Sequence, residues 1–147
     1  MPVRGYDEFG GIRAEYKKHL AGTFCEKAAA YMRYYRWNTS VFEKRTGLNA
    51  DTFSKINNGR LKRPEKRIAV TLCVSLALDY RMALDLLDSA GCSLALNDPH
   101  DAAYDYVLSD MRGESIEACN RVLRERGVPL LGLRERNTDR IGKVKIA

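Results

Sequence analysis

The chain has 147 residues, of which 45% are hydrophobic and 30% charged, with only 4 prolines and 11 glycines. This composition excludes a disordered or fibrous protein, and the length suffices to bury a core without metal or disulfide staples. The net charge of +6 permits nucleic acid, an anionic membrane surface or an acidic protein as partner, and selects none of them until the charges are placed.

The charge is uneven. Residues 23–68 carry 11 Lys and Arg against 4 Asp and Glu, a net +7, whereas residues 69–132 carry 5 against 10, a net −5. Such asymmetry suggests a binding face on one part and a packing or pairing module on another. The uncharged run from Ile68 to Leu78 is about half of the roughly 20 residues a helix needs to span a bilayer. No basic stretch precedes an apolar one near Met1, so no signal peptide is expected and the protein is expected in the cytoplasm. Cys25, Cys73, Cys92 and Cys119 form no Cys-x-x-Cys pair, and His19 and His100 are far apart, so the clustered ligands of a zinc site are missing. Cys73 and Cys119 fall in apolar helical patterns and read as small hydrophobes.

In chain order, Ile12, Tyr16 and Leu20 are spaced for a short N-terminal helix or arm within 1–22. Phe24, Ala28, Tyr31, Met32 and Tyr35 predict a helix over 24–36, with Tyr31, Tyr34 and Tyr35 as core and rim and Trp37 as a core or hinge plug. Asn38 or Ser40 can cap the next helix, and Ser40-x-x-Glu43 reads as a capping box. Gly47 ends that helix, and Asn49 caps another over about 50–58 with Phe53 and Ile56 inward. Pro64 suits the first turn of a fourth helix, whose buried stripe is Ile68, Leu72, Cys73 and Leu76. Met82, Leu86, Leu87 and Ala90 mark a fifth, closed by Gly91. Asn97-Asp98-Pro99 opens a sixth with Ala103, Tyr106 and Val107 inward, and Ile116, Cys119, Val122 and Leu123 line a seventh. Asp98 reads as a cap, and Asp101 and Asp105 share a solvent face, so the aspartates of this region are not assigned to catalysis. Residues 133–147 alternate weakly among basic residues, a pattern open to an edge strand, a partner-binding tail or disorder.

The informative stretch is Asn38 to Pro64. Two short helices flank a tight turn at Gly47-Leu48-Asn49, and the second presents small polar residues outward before the basic cluster Arg60-Leu61-Lys62-Arg63. A helix N-terminus of this kind fits a major groove about 12 Å wide and reaches base edges. Its dipole and the loop cations favour nearby phosphate.

These residues resemble the Cro/repressor-type helix-turn-helix family, also called XRE. Asn38-Thr39 stands at the family's second-helix cap, Phe42 at its inward leucine, Gly47-Leu48 at its turn and Asn49 at the recognition-helix cap. Ser54-Lys55-Ile56 and Asn58-Gly59-Arg60-Leu61-Lys62-Arg63-Pro64 are similar to its Ser-Lys-Ile and phosphate-gripping loop, and the likeness covers about 38–91. The resemblance implies an all-α, lambda-repressor-like five-helix domain over 23–91, followed by a two-helix extension over 92–132 and a basic tail over 133–147. It implies that Ala50, Asp51 and Lys55 face bases, that Thr39, Asn49, Thr52, Asn58, Arg60, Lys62 and Arg63 meet phosphate or fix register, and that Ser54 belongs to the same surface.

The expected function is therefore sequence-specific binding of double-stranded DNA by a homodimeric transcriptional regulator, a repressor of prokaryotic or phage type. No catalytic residue, metal ligand, cofactor or membrane partner is expected. Glu43 replaces a usually small residue between the two helices, and Asp51 puts a negative charge at a base-reading position. With residues 92–147 as a possible protein-binding region, these acids support an alternative of another class. In it the helix-turn-helix is the scaffold of a protein-interaction module, such as an antitoxin, an adaptor or a phage inhibitor.

Overall fold

The computed structural model describes residues 22–132. The expected helix through Ile12, Tyr16 and Leu20 and the segment 133–147 lie outside the described residues. Within them the fold is all-α, with seven helices and no strand: α1 Phe24–Tyr34, α2 Thr39–Thr46, α3 Ala50–Asn57, α4 Lys66–Ser75, α5 Tyr80–Ser89, α6 Pro99–Asp110 and α7 Ile116–Glu125. None of these helices is long and apolar enough to cross a membrane.

Local capping explains most helix starts. Asn38, Asn49, Asp79, Asp98 and Ser115 each accept a backbone N–H from the first turn of the following helix. Each satisfies one of the donors that a helix start leaves without an internal partner. A reciprocal capping box does form, but at Thr23 and Glu26 of α1. The box expected at Ser40 and Glu43 does not form. Asn38 takes the Val41 N–H at 2.9 Å, so α2 begins at Thr39 and Ser40 already lies inside its first turn. Pro64 is likewise not in the first turn of α4. It is buried ahead of the helix, Glu65 holds the extended cap position, and α4 begins at Lys66.

Helix α4 sits in the middle of the molecule, against α2, α5, α6 and α7. Its residues Ala69, Val70, Thr71, Leu72, Cys73 and Val74 are all buried. The single stripe expected for α4 is thus a helix covered on all sides, as an apolar helix in the middle of a core must be. Helices α6 and α7 supply the second cover, and one cluster of buried residues runs from Phe24 to Leu131. Fully burying a side chain such as Leu72 or Leu86 contributes about 2 kcal/mol.

Two expectations for α6 are corrected. Tyr104, not Tyr106, points inward, and its hydroxyl donates to the Pro129 carbonyl at 2.8 Å. Tyr106 is exposed, with the Arg126 guanidinium 5.9 Å from its ring centroid. Asp101 is buried rather than on a solvent face. Both follow from one shift of phase. The inward stripe is Ala103, Tyr104, Val107 and Leu108, and Asp101 lies three residues before Tyr104, on the same side of the helix.

Several buried polar groups pair across helices. Lys27 of α1 is 4% exposed and meets Asp85 of α5 at 2.9 Å. Asp101 accepts from Lys66 at 2.7 Å and from the Ala95 N–H at 2.9 Å. Burial pushes the Asp101 carboxyl upward, but the Ala95 N–H and the Lys66 ammonium outweigh it and hold it below its ordinary value. Asn120 grips Leu131 by both backbone groups, donating to its carbonyl at 3.0 Å and accepting its N–H at 2.7 Å. The next residue, Gly132, donates its N–H to the buried Thr71 hydroxyl at 3.0 Å.

Candidate nucleic-acid interface

The turn between α2 and α3 is built from short-range bonds. Thr46 is fully buried, and its hydroxyl donates to the Phe42 carbonyl at 2.7 Å and accepts the Leu48 N–H at 2.9 Å. Gly47 follows with φ +78, the left-handed backbone that closes α2. Leu48 is buried, and Asn49 then caps α3. Phe42 and Phe53 pack at 5.1 Å between centroids, and the half-buried Trp37 meets Phe42 edge-on at 6.3 Å. The two helices are therefore held by one aromatic cluster and one buried hydroxyl.

The exposed side of this unit carries the residues singled out in the sequence. Thr39 is exposed at the first position of α2. Asn49 accepts from the Thr52 N–H at 2.9 Å and from the Thr52 hydroxyl at 3.0 Å, so these two side chains hold each other. Ala50 and Asp51 are exposed on the first turn of α3. Asp51 and Lys55 form an i, i+4 ion pair at 3.2 Å, with Asp51 exposed and Lys55 half-buried. Such a pair is worth a few tenths of a kcal/mol (about 0.3–0.5) and opens readily when a better partner arrives. Ser54 accepts from the Asn58 amide at 3.2 Å one turn later.

The loop after α3 is tied down by backbone and by a thiol. The Arg60 N–H donates to the Lys55 carbonyl at 2.8 Å. The buried Cys25 thiol of α1 reaches the Leu61 carbonyl at 3.2 Å. Arg60, Lys62 and Arg63 project from this anchored loop, exposed and without an ion pair among the described residues. The structure thus brings Ala50, Asp51, Lys55 and the three loop cations together on and just after one short helix. It turns the polar groups of Asn49, Thr52, Ser54 and Asn58 largely toward one another.

Cys25 as a loop anchor and Gly132, packed on the Thr46-Gly47 turn, carried no local signal, because Leu61 lies 36 residues from the first and Gly47 lies 85 from the second. The other cysteines behave as packing. Burial pushes the Cys119 thiol up to about 11, and the buried Cys73 thiol is also raised by burial, with Cys92 adding to the effect. The aspartates of α6 are engaged too. Asp98 caps the helix, Asp101 pairs with Lys66, Asp105 accepts from the Tyr80 hydroxyl, and Asp110 accepts from Ser109. Among the described residues no three His, Cys, Asp or Glu side chains converge as a metal site would require. Comparison with protein-family models, with curated proteins and with solved structures finds no match to this chain.

Proposed function

We propose that α2 and α3 form a helix-turn-helix of the lambda-repressor-like kind, and that the chain is a sequence-specific, homodimeric DNA-binding regulator of prokaryotic or phage type, acting as a repressor in the cytoplasm. The observation that carries this proposal is the exposed first turn of α3 beside three exposed cations that have no ion-pair partner among the described residues. Ala50, Asp51 and Lys55 would reach base edges: Ala50 a thymine methyl, Asp51 a cytosine amino group, Lys55 a guanine. Thr39, Arg60, Lys62 and Arg63 would contact phosphate and fix the docking angle. Two such helices in a dimer would read half-sites about 34 Å apart.

The test is a duplex titration across salt concentrations. If a dimer neutralises about 8 phosphates, the logarithm of the affinity falls with the logarithm of salt at a slope near −7. A slope near zero would remove the phosphate-binding basis of the proposal.

A second reading rests on the Asp51–Lys55 pair. Lys55 is the only cation on α3, and its charge is balanced within the helix at 3.2 Å. A surface balanced in this way suits a protein partner, with the helix pair as scaffold. One stoichiometric protein captured with the chain, together with only salt-labile, sequence-independent DNA binding, would favour that second class.

A further inference from the structure

Away from the exposed face of α3, a cleft of about 370 Å³ lies where the C-terminal ends of α1 and α4 meet α2. Its lining is half apolar. Trp37, Val41, Leu76 and Ala77 form the greasy part, and Arg36, Arg45 and Ser75 the polar part, with Tyr35 beside them. Ser75 is already engaged, donating to the Arg45 carbonyl at 3.1 Å. That bond ties the end of α4 to the last turn of α2. No Asp or Glu lines the cleft, and Arg36 and Arg45 form no ion pair among the described residues. Arg112 donates through Nε to the Ala77 carbonyl at 2.9 Å, which brings a third guanidinium beside a lining residue.

The backbone gives an independent sign. Arg36 has φ +59 and Ala77 has φ +53, and they are the only non-glycine residues with positive φ among the described residues. Each follows the C-cap of a helix, α1 or α4, where glycine is the unstrained choice. Both line this same cleft. Each closes its helix with the Trp37 or Leu78 N–H bonded back to the helix, a place where glycine carries no strain, and both non-glycine closures fall in this one cleft.

We propose that this cleft is a binding site for a small planar carboxylate, with the ring against Trp37, Val41 and Leu76 and the carboxylate between Arg36 and Arg45. The size and the mixture of apolar walls with a few polar lining residues fit a small-molecule site. Guanidinium is the group best matched to a planar, bidentate oxyanion, and two arginines line this cleft with no acid among its lining residues. Helix α2 lends Val41 and Arg45 to the cleft and leads into the Gly47 turn, so a bound carboxylate would brace α2 against α1 and α4. The site is independent of DNA binding, and its test needs no DNA.

Trp37 is the only tryptophan of the chain, so its indole N–H gives a single, local NMR signal. The full-length protein is titrated with benzoate, and then with benzamide as the neutral isostere. Benzoate is expected to shift the Trp37 indole signal saturably, with a dissociation constant on the order of millimolar, as suits a ligand of so few atoms. Benzamide is expected to bind at least about tenfold more weakly, since it lacks the charge that pairs with guanidinium. Arg45→Gln and Arg36→Gln are each expected to weaken benzoate by a similar factor. Lys44→Gln, which removes an adjacent exposed cation outside the cleft, is expected to leave it unchanged. No saturable shift, equal binding of benzamide, or equal losses in all three variants would each overturn the proposal.

Discussion

Gly132 is interlocked with Gly47. A Cβ on Gly47 would lie 2.8 Å from the Gly132 carbonyl oxygen, and one on Gly132 would run into the Thr46 carbonyl oxygen. Both residues also have positive φ, +78 and +77. The end of the described chain is thus packed backbone to backbone on the turn that sets α3. Either Gly47→Ala or Gly132→Ala combines left-handed strain with backbone overlap and is expected to cost about 3 kcal/mol or more. Gly91→Ala is the control. Its φ is +80 but nothing lies within 4 Å of the added carbon, so about 1 kcal/mol is expected. Urea unfolding of the three variants checks the ranking, and equal losses would deny the interlock.

The Lys27–Asp85 pair predicts an asymmetry. Lys27 is 4% exposed and its partner 22%. Asp85→Ala leaves a buried ammonium unpaired and is expected to cost about 3 kcal/mol. Lys27→Met keeps the volume, and the carboxylate it strands is closer to water, so a loss about half as large is expected. Thermal or urea melts of both variants measure the difference.

Much of the helical layout was legible in the residues, because its causes are local. Asn38, Asn49 and Asp98-Pro99 mark helix starts by their own chemistry, and Gly47 marks an end. Even locally there was competition. Asn38 took the cap two residues before Ser40, so a well-formed capping-box pattern went unused. The illegible parts depend on distant partners. The inward phase of α6 is set by α4 and by the Pro129 carbonyl that Tyr104 reaches. Asp101 is buried because Lys66 lies 35 residues away in sequence and 2.7 Å away in space. In the candidate site, the outward placement of Ala50 and Asp51 followed from helical spacing, and that of Arg60, Lys62 and Arg63 from their charge. The Asp51–Lys55 pair follows the i, i+4 rule, and it ties together two residues that the family resemblance assigns to separate base contacts.

Asp101 also gives a pH dependence. Its folded carboxyl is held below the ordinary value of 3.8. A depressed carboxyl contributes stability above its unfolded value, and that contribution is lost as pH falls through the folded value. Asp101→Asn is therefore expected to be destabilised at pH 7, by about 2 kcal/mol from the lost charged hydrogen bonds. The gap between variant and parent is expected to narrow as pH falls below 3.8. A gap that stayed constant from pH 7 to pH 3 would contradict the ion-pair assignment.

On DNA, the two groups of side chains are expected to fail differently. Arg63→Ala removes an exposed loop cation from each protomer and is expected to weaken binding to all duplexes alike, reducing the salt slope of the dimer by about 2. Lys55→Ala and Asp51→Ala alter the exposed face of α3 and are expected to change which bases are preferred, by about 1–3 kcal/mol at the position read. Competition assays between matched and substituted duplexes separate the two effects.

Selection from a pool of random duplexes, at one stated salt concentration, tests the DNA-reading role of α3 most directly. Enrichment of a two-fold related motif, with a preference that shifts in the Lys55→Ala protein, is the expected result. A pool that stays unenriched after repeated rounds, while the protein remains folded, would contradict sequence-specific recognition by this helix.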